Sequence, residues 1–196
     1  MDITTTTDIQ DFMGWSTNAT RDAWLATAIT RISARFEAAI GRGINHTSRT
    51  ELFDVDGVSK QTFRVKAYPI TSITSITSDY ERDFTGDAVS SDDYTFDAEA
   101  GLISIDKAFL DMGQKSLQIV YQGGMGANQS ALESNHPDIV DAITKQVAFE
   151  YESRKRLGVT SVTDPAGNTL SYSSKGWLPE AEEAIARYKR RTGFAL

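Results

Sequence analysis

Residues 137–158, PDIVDAITKQVAFEYESRKRLG, decide how the rest of the chain is read. Proline is tolerated in a first helical turn and Gly158 suits a left-handed closing residue, so the stretch predicts one long helix. Ile139, Val140, Ile143, Val147, Tyr151 and Leu157 recur at steps of three and four and therefore share a face. Each aliphatic side chain buried there stabilises by about 1.5–3 kcal/mol. Glu150 and Arg154 project onto that same face, four apart with the acid first, the favourable order for a helical pair. Two readings follow. The residues form an intrahelical pair at the core margin, or the face meets another subunit, where charge and apolar surface are both needed.

Moving outward, a second helix is expected over residues 20–42, TRDAWLATAITRISARFEAAIGR. Thr20 can cap it, Asp22 suits its positive end, and Gly41 and Gly43 stop it. Trp24, Leu25, Ala28, Ile29, Ile32, Phe36, Ala39 and Ile40 form a broad apolar stripe. Arg35 falls inside that stripe as Glu150 does on the later helix, so the two are expected to pair when the helices pack. Residues 1–18 are Thr-rich and read as irregular, with one turn of helix near Asp8–Met13.

Between the helices the hydrophobic period changes from 3.6 to 2. Arg49–Val55 and Gln61–Ala67 flank Asp56-Gly57, a hairpin signal. Tyr68-Pro69 breaks the run. Ile70, Ile73 and Ile76 then recur every three residues in ITSITSITSDY, which fits neither a flat strand nor a helix; Ile and Thr favour strand, so an irregular or bulged strand is expected. Tyr94–Phe96 and Leu102–Ile105 flank Ala100-Gly101 as a second hairpin, and Ser116–Tyr121 is expected to close the sheet. The class is therefore α+β: a helical bundle of two long helices and a C-terminal helix, with an inserted antiparallel β-meander. One structural unit is expected, with an N-terminal segment and helix at 1–45, the β region at 46–124 and the C-terminal helices at 125–196.

Within the last part, residues 158–176 form a Ser/Thr/Gly-rich arm. The turn Asp164-Pro165-Ala166-Gly167 lies between the β-prone segments Val159–Val162 and Thr169–Tyr172. Such an arm is either a mobile loop or a strand that pairs with a neighbouring chain. A final helix is expected over Pro179–Thr192, with Glu180, Glu182 and Glu183 at its start and Arg187, Lys189, Arg190 and Arg191 at its end. That polarity compensates the helix dipole, or makes a basic plug for an acidic partner surface.

The 196 residues are 40% hydrophobic and 24% charged, the make-up of a soluble globular chain with a real core. No apolar run approaches the ~18 residues needed to span a bilayer, so no membrane association is expected. The polar, acidic start MDITTTTDIQDF does not read as a signal peptide. With no cysteine there is neither a disulfide framework nor thiolate chemistry, which fits folding in a reducing cytoplasm. The net charge of −7 is concentrated: Asp79, Glu81, Asp83, Asp87, Asp92, Asp93, Asp97 and Glu99 stand against Arg82 alone, and acids and bases balance elsewhere. A solvated acidic loop is the plain reading, a calcium site is an alternative that the spacing does not support, and a wall that repels nucleic acid is the third reading.

No constellation for catalysis emerges. His46 and His136 lie apart without metal-ligand spacing, so neither zinc nor another metal is expected. Asp54-Val55-Asp56-Gly57 resembles a fragment of a calcium loop, but in that register Leu52 and Phe63 occupy the first and last ligand positions. No G-x-S-x-G elbow, P-loop or G-x-G-x-x-G is present. No catalytic residue, cofactor or enzymatic activity is assigned. Basic residues gather at helix ends without interleaved aromatics, which argues against a dedicated nucleic-acid reader.

Four stretches, read in order, resemble the head–tail connector (adaptor) proteins of long-tailed bacteriophages. These are FEAAIGR at 36–42; YPITSITSIT at 68–77, like that family's Pro-hydrophobic-x-Ser strand; DDYTFDAEAGLISI at 92–105 with LQIVYQGGM at 117–125; and AFEYESR at 148–154, with Tyr151, Glu152 and Arg154 at the family's Tyr, Glu and Arg positions. The ending YKRR at 188–191 also fits. The likeness spans roughly residues 20–192, and the β insertion at 46–124 resembles the longer branch of the family.

The resemblance implies a structural protein of the virion neck, assembled from subunits folded in the host cytoplasm. It implies a dodecameric ring beneath the portal that extends the DNA channel and receives a stopper or tail-completion protein. It further implies portal docking through the C-terminal helix and tail, here Trp177, Leu178, Ile185, Arg187, Tyr188, Arg190, Arg191 and Phe194. Arg35, Glu150 and Arg154 are candidates for polar contacts between helices or subunits. A channel that passes DNA without binding it benefits from fixed negative charge, so Asp79, Glu81, Asp83, Asp87, Asp92 and Asp93 are expected to face the channel or outer solvent. The alternatives are another neck or tail component, such as a stopper or tail terminator, and a β-type binding module or carboxylate hydrolase unrelated to phages.

Overall fold

The computed structural model describes residues 1–57, 60–154, 161–163, 169–171 and 176–190. The class is α+β, with five helices and two three-stranded antiparallel sheets among the described residues. The chain divides into two compact units, Met1–Ile40 with His136–Lys189, and Gly41–Asn135 with Arg190–Leu196.

The first unit is helical: α1 (Thr6–Met13), α2 (Ala19–Ile40), α4 (Pro137–Ser153) and α5 (Pro179–Tyr188), with α1, α2 and α5 packed against α4. On α4, Ile139, Val140, Ile143 and Val147 are buried as their spacing predicts, and so are Ala142, Thr144, Gln146 and Ala148. Leu157 and Gly158 lie outside the described residues. On α2 the stripe Leu25, Ala28, Ile29, Ile32, Phe36 and Ile40 is buried.

Three helix ends differ from expectation. The N-terminal segment is not irregular: Thr5 and Asp8 form a reciprocal capping box, and α1 runs two turns with Ile9 fully buried. Ahead of it Ile3 is buried and donates its N–H to Ser33 Oγ. Asn18, not Thr20, caps α2, because its side chain accepts the Arg21 N–H at 3.0 Å while Asp22 accepts the Asn18 N–H at 2.9 Å. Helix α5 stops at Tyr188 because Lys189 is extended, with ψ 131°, so Arg190 leaves the helix and donates to the Arg64 carbonyl. In the same unit a backbone hairpin pairs β7 (Ser161–Thr163) with β8 (Thr169–Ser171) inside the predicted arm.

The second unit holds β1 (Thr47–Val55), β2 (Gln61–Arg64), β3 (Ile70–Ser78), β4 (Tyr94–Asp97), β5 (Leu102–Ile105), β6 (Gly113–Gly123) and the short helix α3 (Gln129–Asn135), which sequence reading did not foresee. The sheets are ordered β1-β6-β3 and β2-β5-β4. The strands are antiparallel as expected, but they do not form a meander. Gly57 takes the left-handed φ of 78° that the Asp56-Gly57 signal favours, yet β1 pairs with β6 and β2 with β5. Placing them in facing sheets lets Phe53 and Phe63 meet across a shared core, ring centroids 5.4 Å apart. Strand β6 does not close the sheet but lies at its centre. The β4–β5 hairpin forms as read, with Gly101 at φ 65°.

The three-residue repeat resolves into bulges. Ile70, Ile73 and Ile76 stand opposite Gly123, Tyr121 and Ile119, which are spaced by two on β6. One extra residue enters β3 between each pair, at Thr71 and Thr74, and turns a period of three into a period of two. Ile70 and Ile76 are buried and Ile73 packs against the same core. Gly123 is required where β6 passes the incoming chain: a Cβ there would lie 2.5 Å from the Ala67 carbonyl oxygen.

Candidate interaction site

Trp24, Arg31 and Arg35 recur at intervals of seven and four on one side of α2, facing Glu150, Tyr151 and Arg154 near the end of α4. Glu150 holds both arginines: Arg31 Nη2 lies 2.8 Å from Oε2 and Arg35 Nη1 lies 3.3 Å from Oε1. Glu150 therefore reaches across to α2, while the Arg154 guanidinium lies over the Tyr151 ring, 3.7 Å from its centroid, and 5.5 Å from that of Trp24. Tyr151 is edge-on to Trp15 and Trp24, at 5.0 and 5.3 Å. Arg35 stacks on Trp177 at 4.0 Å, and Trp177 packs edge-on against Phe36.

All three tryptophans of the chain thus belong to one strip, each half-buried and each beside an arginine. Arg31 and Arg35 remain 61% and 45% exposed. Half-exposed Trp, Tyr and Arg are the residue types that dominate protein–protein hot spots. Sequence reading found Arg35, Glu150 and Arg154 but missed Trp15, Arg31 and the role of Trp24. The signal was available in the seven-and-four spacing on α2.

The residues proposed for portal docking are largely engaged inside the helical unit. The buried Gln146 side chain accepts the Leu178 N–H at 2.8 Å and donates to the Gly176 carbonyl, pinning the start of α5. Arg187 pairs with Asp138 at 2.9 Å and with Glu183 at 3.0 Å, and the Tyr188 hydroxyl donates to Asp138. Burial, followed by the Asp138 hydrogen bond, raises the Tyr188 phenol above its ordinary range. Ile185 is half-buried. Arg191 and Phe194 lie outside the described residues. Arg187 also borders an open depression lined by Asp138, Asp141, Glu180, Glu183 and Ala184.

In the acidic segment Glu81, Asp83, Asp87 and Asp92 are exposed, and Asp79 and Asp93 partly so. Asp79 organises its start by accepting the N–H groups of Glu81, Asp83 and Phe84 at 2.8, 3.0 and 2.7 Å. Hydrogen bonding with the Asp83 carboxyl, then these amides, holds its pKa down to about 2. Among the described residues no group of three or more His, Cys, Asp or Glu side chains is placed to hold a metal, and no helix is long and apolar enough to cross a membrane.

No protein-family model and no curated protein sequence matches the chain. Solved structures do. A chain of the virion of the native gene transfer agent (GTA) particle superposes with a TM-score of 0.61 at 16% identity, over 97% of this chain and 91% of that one. A chain in the neck of the empty GTA particle, computed with sixfold symmetry, gives 0.62 at 17% identity with the same coverage. One in the neck of the native particle, computed with twelvefold symmetry, gives 0.58 at 17% identity over 97% and 90%. The chain shares its fold, end to end, with chains of these particles.

Proposed function

We propose that the protein is a structural component of a virion neck, a subunit that repeats around an axis as a ring between portal and stopper or tail and continues the DNA channel. The observation that carries this reading is the likeness of fold over 97% of the chain to chains of GTA necks. Twelve copies is the number proposed, from the twelvefold neck and the connector resemblance. The role is one of contact surfaces, not of a chemical step. A ring repeats one heterologous contact until it closes, so each subunit presents two different surfaces.

The portal is the proposed partner of the α5 region, and the exposed acids Glu81, Asp83, Asp87 and Asp92 are proposed to face the channel or outer solvent, where they keep phosphates off the wall. Because Trp177, Leu178 and Tyr188 also hold the helical unit together, deleting 177–196 would confound docking with unfolding. The cleaner experiment leaves them in place, reverses the exposed charge of Lys189 with Lys189→Glu and only neutralises Arg187 with Arg187→Gln, which sets no new acid against Asp138 and Glu183, then measures co-purification with the portal of the same particle. Retention of wild-type protein and loss of the double variant is expected. Failure of wild type to associate with portal or virions would overturn the reading.

A further inference from the structure

The second unit carries a tip that its own fold leaves uncovered: Phe109 is fully exposed at 103%, Tyr80 is 71% and Met112 61% exposed. These are three of the seven large hydrophobic side chains that are exposed among the described residues. The tip is nonetheless held in shape. The Asp111 N–H donates to Ser78 Oγ at 2.6 Å, the Lys115 N–H to Asp54 at 2.7 Å, and the Asp79 N–H to the Ser116 carbonyl at 2.7 Å. Lys115 takes a left-handed φ of 53° to make its bond. Asp54, Asp56, Asp106 and Asp111 lie in the segments that form the tip, outnumbering Lys107 and Lys115.

Resting on the ring reading above, we propose that this acidic, aromatic tip of one copy docks on the tryptophan–arginine strip of the next copy. The chemistry is complementary in both respects. Phe109 and Met112 need an apolar surface, which half-buried Trp15, Trp24 and Tyr151 supply. The aspartates meet Arg31, Arg35 and Arg154, which outnumber Glu150, while at the Trp15 end Asp22 is matched by Arg21 at 3.4 Å. Two tips repel one another, as do two strips, so like charge disfavours a self-complementary dimer and favours the head-to-tail contact that closes a ring.

The chain has no cysteine, so engineered thiols report a contact without background. Thr27→Cys lies on the exposed side of α2 between Trp24 and Arg31, and Gln114→Cys is exposed beside Met112. The two full-length variants, mixed and treated with a short bis-maleimide, are expected to give a cross-linked dimer that neither gives alone. Adding Phe109→Ser to the Gln114→Cys chain, or Arg31→Glu with Arg35→Glu to the Thr27→Cys chain, is expected to cut the yield about tenfold or more. Asp111→Lys should restore part of the loss caused by the arginine reversals. Rings in negative-stain images without the cross-link would overturn this contact and leave the ring intact. No self-association at any concentration, with or without portal, would overturn both.

Discussion

The Tyr121 hydroxyl donates to the Glu51 carboxylate and accepts the Ala67 N–H at 3.0 Å, so one phenol joins β6, β1 and the segment leading into β3. The ring is fully buried, and Glu51 also accepts the Lys66 N–H at 2.9 Å. Tyr121→Phe would leave the Ala67 N–H without its partner, at a cost of about 1–3 kcal/mol measured by urea unfolding. The pH dependence has a definite sign. Burial, then Glu51, raises the phenol above its ordinary value of 10.0. Its contribution is full below pH 10 and declines as pH rises through the folded value. Tyr121→Phe should flatten that alkaline loss.

Glu150 serves two arginines that remain largely in water, and exposed pairs of this kind contribute about 0.2–1 kcal/mol each. Glu150→Gln is expected to lower stability by no more than about 1–2 kcal/mol. A double-mutant cycle with Arg35→Met should show coupling below about 1 kcal/mol, with a change in tryptophan emission as the guanidinium leaves Trp177. A much larger coupling would mean that the strip is more deeply buried in solution than the fold of one chain implies.

Asp79 nucleates the acidic loop through three amide hydrogen bonds. Asp79→Asn is expected to accelerate amide exchange at Glu81, Asp83 and Phe84 at neutral pH, leaving the β6 core unchanged. Since its folded pKa is lowered from 3.8 to about 2, the wild-type loop should keep its protection above pH 4 and lose it as pH falls toward 2.

Gln146 lies fully buried on α4 and satisfies both sides of the segment entering α5. Gln146→Leu preserves size but strands the Leu178 N–H and the Gly176 carbonyl. The expected loss is about 1–3 kcal/mol, together with freer motion of Trp177 seen as reduced fluorescence anisotropy. If portal binding also falls, α5 docks as a pre-positioned helix.

The helices were legible because their burial is one-sided and periodic: residues 139–147 and 25–40 announce themselves. The bulged β3 was legible for the same reason, since isoleucines three apart can all face one core from an extended chain only where extra residues bulge out between them. Pairing was not legible. The Asp56-Gly57 turn and its flanking strands carry the local signature of a hairpin, and only the need of Phe53 and Phe63 to share one core sends β2 to the opposite sheet. Helix ends also misled where several capping residues compete, as Asn18 and Thr20 do. The tryptophan–arginine strip was read in part, because Arg35, Glu150 and Arg154 follow from helical phase. Trp15 enters it through tertiary packing from a segment that looked irregular. Gln146 was invisible for a related reason: a buried polar residue reveals its purpose only when its partners, thirty residues away, are in place.

The bulges in β3 carry a consequence for how the chain tolerates change. Each Ile-Thr-Ser triplet advances two places along β6, so excising or duplicating a whole triplet keeps every isoleucine inward-facing. Removing Thr74 alone erases one bulge and leaves Ile73 and Ile76 two apart, both still inward-facing, whereas removing Thr74 with Ser75 makes them adjacent and turns one toward solvent, at about 2–5 kcal/mol by analogy with emptying an aliphatic core site. Deleting Thr74 alone, or residues 72–74 together, should leave a cooperative unfolding transition, where deleting Thr74 with Ser75 does not. The repeat holds slack: a strand that carries a spare residue in each step can surrender it, or a whole step, without turning its core face outward.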